Sequence, residues 1–170
     1  MQAYEAWSEL SPELNHEILE SAYLNNKKLY RTVLEECGSQ LRKRVAGLKQ
    51  LPRKERHMIF LPVLSLPMCH VVTQNLLMNW LGKDKVEMLN KFLDGLNIEH
   101  DGSGCASNFP EKMDSETLKL AVDTLYEKFD ESAVSLYLKT FDSLTGMNWS
   151  GIDDLIRTNK VENVEAENSL

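Results

Sequence analysis

Few residues of this chain could carry chemistry. His70, Thr73 and Gln74 stand three and four apart, a spacing that sets them on one face of a helix. Such a face can line a pocket, bind a small molecule or exchange a proton. The competing reading is a set of buried polar groups that bond to nearby backbone and stiffen a core, and that is the expectation. Cys69 adjoins His70, but neighbours on a helix point about 100° apart, so this imidazole is poorly placed to activate that thiol. In apolar surroundings Cys69 is expected to be an inert small hydrophobe.

Metal-ligand spacing is missing as well. Cys37, Cys105, His16, His57 and His100 are scattered singly along the chain, and neither a Cys-x-x-Cys pair nor a local histidine pair collects them. The run His100-Asp101-Gly102-Ser103-Gly104 suggests a calcium loop. Counted from Asp101, however, the loop would need an oxygen ligand, a glycine and a glutamate where Cys105, Ala106 and Lys112 stand. It reads as a turn. No glycine-rich phosphate loop is present, and the acid pairs Glu35-Glu36 and Asp153-Asp154 fall on charged, solvated faces and not in the buried setting that a general acid needs. No catalytic residue, metal or cofactor is therefore expected. An enzyme ranks third among the functional readings, centred if anywhere on His70 and Gln74.

The strongest chemical signal is charge. The 170 residues carry a net −7, yet from Lys27 to His57 ten Lys and Arg meet three Glu. Seven of those cations, Arg42, Lys43, Arg44, Lys49, Arg53, Lys54 and Arg56, crowd into 42–57 with Glu55 as the single acid. Such a segment attracts an anionic surface. It lacks interleaved aromatics for base stacking and any recognised DNA-binding motif, which ranks an acidic protein partner above nucleic acid.

Next to it, Met58 to Gly82 contains no Lys, Arg, Asp or Glu. A helix of that length would span about 37 Å, enough for a bilayer. Pro62 and Pro67 interrupt it, and His70, Thr73, Gln74, Asn75 and Asn79 would sit unsatisfied in lipid. The expectation is an irregular apolar segment, Met58 to Leu66, followed by a core helix from Pro67 with Cys69, Val72, Leu76 and Trp80 on one face.

Helical spacing recurs elsewhere. Ser11-Pro12-Glu13 is a helix start, Asn25-Asn26 an interruption, and Leu29, Tyr30, Val33, Leu34 and Cys37 a second apolar face that ends at or runs through Gly38. Val86, Leu89, Phe92 and Leu93 mark another helix, with fraying expected at Gly95. Asn97 to Asn108 is the longest irregular stretch. Asp114 and Asp130 each open a further helix, and Trp149, Ile152, Leu155 and Ile156 a last one. No stretch alternates at period two. The fold expected is all-α, a single irregular bundle of about seven helices over 1–157 with a disordered acidic tail over 158–170. Three widely spaced cysteines and an N-terminus with neither a basic nor an apolar leader region point to the cytoplasm.

The run Asn75-Leu76-Leu77 with Trp80-Leu81, then Lys91-Phe92-Leu93-Asp94-Gly95-Leu96-Asn97-Ile98-Glu99-His100-Asp101, then Ser135-Leu136-Tyr137-Leu138-Lys139-Thr140-Phe141 and Trp149, resembles a group of small uncharacterised all-helical bacterial proteins. The likeness covers the C-terminal half to two-thirds of the chain. It implies a bacterial, cytoplasmic, all-helical protein and carries no activity or functional residue. The functional expectation is a non-enzymatic protein-interaction module, using the basic segment or an exposed apolar helix face. An electrostatic nucleic-acid binder through 42–57 is second. Homo-oligomerisation is compatible with the first reading, and membrane association is not expected.

Overall fold

Four helix starts rest on side chains that replace missing backbone partners. In the computed structural model, which describes residues 1–147, 149 and 151–167 (side chains as far as Asn159), Ser11 Oγ accepts from Leu14 N at 3.2 Å to open α2 (Pro12–Asn25). Asn26 Oδ1 accepts from Leu29 N at 3.1 Å and opens α3 (Lys27–Gln40). Asp114 and Asp130 do the same for α8 (Ser115–Lys128) and α9 (Glu131–Thr145), each at 2.9 Å. The chain is all-α: the described residues form ten α-helices, one 3-10 turn and no strand. They fall into two compact units, Met1–Asp84 and the residues from Lys85 onward.

In the first unit, α6 (His70–Asp84) packs against α1 (Ala3–Glu9), α2, α3 and α5 (Arg53–Leu64), and α4 (Val45–Gln50) lies against α3 and α5. Trp7, Ile18, Leu19, Val33, Phe60, Leu76 and Trp80 are fully buried. The expected irregular segment Met58 to Leu66 is instead helical as far as Leu64, with Pro62 inside α5. Pro62 removes the bond to the carbonyl four residues back, at Met58, a residue exposed to solvent, and it stands only two residues before the helix end. The helix then stops within one turn. The 3-10 turn Pro67–Cys69 starts the next element where proline was expected to.

α6 is less evenly apolar-buried than its composition suggests. Cys69, Val72, Leu76 and Trp80 face inward, while Met68, Val71 and Met78 are exposed. No single helix among the described residues is long and apolar enough to cross a membrane. The pair Arg53–Leu64 and Pro67–Asp84 meets that length and composition only jointly, and it bends by 108°.

In the second unit, α8 contacts α7 (Val86–Gly95), α9 and α10 (Ile152–Glu167). Gly95 does not fray the helix. Its role is close approach, because a Cβ there would come within 3.0 Å of Ala121 Cβ on α8. Phe92, Tyr137 and Phe141 pack edge to face at 5.4–5.8 Å between centroids, and Trp149 joins at 4.9 Å from Phe141 while donating to Pro110 O at 2.9 Å. That bond pins the 97–114 loop. The acidic tail expected from Thr158 coincides with α10 as far as Glu167; 168–170 lie outside the described residues.

Candidate functional site

A polar cluster of the first unit is built from α2, α3 and α5. His16 and Glu20 stand four apart on α2, on one face. Tyr30 comes from α3, and Arg53, Arg56 and His57 come from the first turns of α5. Pro52 sets the start of α5 and hence the direction in which this charged turn enters the core. His57 is fully buried and Arg56 nearly so.

Hydrogen bonding gives this cluster a direction. Arg56 Nε donates to the Tyr30 hydroxyl oxygen at 2.9 Å. The Tyr30 hydroxyl also meets His57 Nε2 at 2.9 Å, and His57 Nδ1 meets His16 Nδ1 at 3.0 Å. Arginine offers no acceptor, so the phenol proton goes to His57 Nε2, the His57 proton sits on Nδ1, and His16 Nδ1 accepts it. The reverse assignment strands the Tyr30 proton. Burial first, then the His16 ring and the Arg56 and Arg53 cations, lower the His57 pKa to about 3, so the imidazole is neutral at physiological pH. Burial also raises the Tyr30 phenol above its usual value, against the pull of Arg56. Glu20 pairs with Arg53 through Oε1 at 3.1 Å. Its Oε2 is buried with no hydrogen-bond partner.

Beside the cluster lies a cleft of about 560 Å³. Four cations line it, Lys27, Arg31, Lys49 and Arg56, with Tyr23 and Tyr30 as aromatic walls. Leu24 and Leu34 complete the lining, which contains no acid. Arg31 also reaches Glu35 at 2.8 Å, but both ends of that pair are exposed, where water exchanges readily with the contact. Arg56 is different. Its bonds go to the Tyr30 hydroxyl and to the carbonyls of Leu48 and Lys49 at 3.5 and 3.4 Å, and its guanidinium lies 5.5 Å from the Tyr30 ring. None of these partners is a carboxylate.

The seven basic residues singled out in the sequence do not form one surface. Arg42, with φ 53°, and Lys43 sit in the turn after α3, and Arg44 is the residue before α4; all three are exposed. Lys54 is exposed on α5. Arg53 pairs with Glu20 and covers the Tyr23 ring at 4.5 Å. Only Lys49 and Arg56 reach the cleft, where α3 supplies Lys27 and Arg31. Those two cations belong to the wider Lys27–His57 excess, and the i,i+4 step between them was the available signal.

The helix-face trio is dispersed in role. Thr73 is fully buried and donates to Leu64 O at 2.9 Å, capping the end of α5. His70 is half-buried, edge-on to Tyr4 at 6.2 Å, with a buried Nδ1 lacking a hydrogen-bond partner. Gln74 is half-buried. None of the three lines the cationic cleft. Conversely, His16 and His57 had seemed isolated because 41 residues separate them; their meeting depends on how α2 crosses α5, which no local spacing records. Comparison of the chain with protein-family models, curated proteins and solved structures finds no match.

Proposed function

We propose that the chain is a non-enzymatic binding module whose cationic cleft receives an acidic segment of a partner protein. The observation that carries this is Arg56, a guanidinium nearly withdrawn from water without a carboxylate. Buried charges are normally paired, because desolvating a lone ion costs several kcal/mol. A partner carboxylate in the cleft supplies the missing counter-ion, and Lys27, Lys49 and Arg31 attract it from solution. Tyr23 and Tyr30 offer apolar walls to the aliphatic part of an acidic side chain. The volume suits one or two side chains rather than a duplex backbone. The module works in the cytoplasm, a reading supported by three cysteines that are all free thiols.

The test is fluorescence anisotropy with a labelled glutamate-rich peptide, set beside a single-stranded oligonucleotide of equal length. The peptide should bind and release as salt rises. The Lys27→Ala, Lys49→Ala double variant changes only exposed residues and should weaken binding by roughly 5- to 10-fold, from two partly screened contacts. Tighter binding of the oligonucleotide transfers the cleft to nucleic acid, and peptide affinity unmoved by the double variant refutes the assignment.

A further inference from the structure

We propose that His16, Glu20 and His57 form a binding site for a first-row transition-metal ion, zinc by preference. The three residues each offer one ligand atom, and these atoms lie within 4.8 Å of one another. Two come from one face of α2 at i,i+4 and the third from α5. The two imidazoles face each other through their Nδ1 atoms at 3.0 Å. Nitrogens about 2.05 Å from a tetrahedral ion stand about 3.3 Å apart, so the rings need to part by only a few tenths of an ångström. No two of the ligand atoms are more than 4.8 Å apart, so the carboxylate has at most about 1.5 Å to close, within reach of side-chain torsions.

Glu20 supplies the second, independent observation. Arg53 holds Oε1, while Oε2 is shielded from water and bonds to nothing. An orphaned oxygen on a carboxylate that stands within 4.8 Å of two histidine nitrogens is an unusual expense in a folded chain. A metal ion satisfies it. The outer shell is already in place: His57 Nε2 lies 2.9 Å from the Tyr30 hydroxyl, which Arg56 also bonds. With metal on Nδ1, the His57 ring proton moves to Nε2 and is donated to the Tyr30 oxygen, the second-sphere arrangement that orients metal-binding imidazoles, and the phenol must turn its own proton away from His57, which is the cost of loading the site. Two nitrogen donors disfavour calcium and magnesium, which take oxygen ligands. The nearby Arg53 and Arg56 cations oppose any added positive charge, which again selects an ion bound strongly by imidazole over a hard one. Three protein ligands leave a fourth position for water or an exchangeable group. This inference is separate from the peptide cleft and does not rest on it.

The experiment is titration of the chelator-treated full chain with zinc chloride by calorimetry, with cobalt(II) as a spectroscopic stand-in. One ion per chain should bind, and the cobalt form should show visible ligand-field bands without thiolate charge transfer. His16→Ala and Glu20→Gln, both at partly exposed positions, should each weaken binding by more than the roughly 10- to 100-fold typical of an outer-shell partner. Circular dichroism checks that both stay folded. Tyr30→Phe, which alters a positioning residue, should weaken binding by about 10-fold without changing the cobalt spectrum's ligand signature. Failure to saturate at millimolar ion overturns the site. So does binding unchanged in both ligand variants, or binding that disappears with Cys105→Ser.

Discussion

Acid should loosen the first unit through His57, and the size of the effect follows from its surroundings. The groups facing this imidazole are His16 and Glu20 on α2, Tyr30 on α3, and Arg53 and Arg56 on its own helix. Its pKa falls from 6.5 in the unfolded chain to about 3 in the folded one. Between those values the unfolded chain holds a proton that the folded chain refuses, so stability rises with pH. The contribution is whole above about pH 6.5 and is lost as pH falls toward 3. Each pH step of one across that window costs about 1.4 kcal/mol. From pH 7 to pH 5 the loss is therefore about 2 kcal/mol, which at an m-value of about 2 kcal/mol/M moves a urea midpoint by about 1 M. The assay is urea unfolding of chelator-treated protein at both pH values, read against the His57→Gln variant, whose side chain does not titrate. That variant should be less stable throughout and should lack this part of the pH slope. Equal slopes in the two proteins would refute a buried, neutral His57.

Two packing predictions concern single atoms. Thr73→Val removes the donor to Leu64 O while keeping shape; leaving that carbonyl without its partner should cost about 1–3 kcal/mol in a denaturant titration. Gly104→Ala meets two obstacles, a φ of +82° and a Cβ only 2.9 Å from Leu89 Cδ1 and 3.1 Å from Leu89 Cβ. It should destabilise the second unit by at least about 1 kcal/mol, with the loss visible as faster amide exchange over α7 and the adjoining loop. A neutral outcome would mean that the loop is free to move off α7.

Helix starts were legible because capping is local. Ser11-Pro12, Asp114 and Asp130 bring the acceptor within three residues of the amide it serves. α1 went unread because seven residues give too little period to detect, although Trp7 is fully buried and donates to Leu61 O at 3.2 Å. Pro62 misled for a related reason: proline disfavours a helix interior, but it does not forbid one, and here it stands two residues before the last residue of α5, where few helical bonds remain to be lost. The uncharged stretch ends at Gly82, yet α6 runs on to Asp84. The candidate sites were less legible still. Lys49 and Arg56 were visible in the basic run, but the buried state of Arg56 was not, since composition ranks every arginine alike.

Helical class, the capped starts, the cationic stretch ahead of an uncharged one and the lack of any local catalytic or metal motif are properties of neighbours along the chain, and the sequence alone determined them. The meeting of His16 with His57, the stranded Glu20 oxygen and the withdrawal of Arg56 from water were decided by how α2, α3 and α5 cross. Helix-capping hydrogen bonds and helical period act over three or four residues, so they leave a record in the order of amino acids. Burial and side-chain encounter across 41 residues depend on the packing of whole helices, and that exists only once the core has formed.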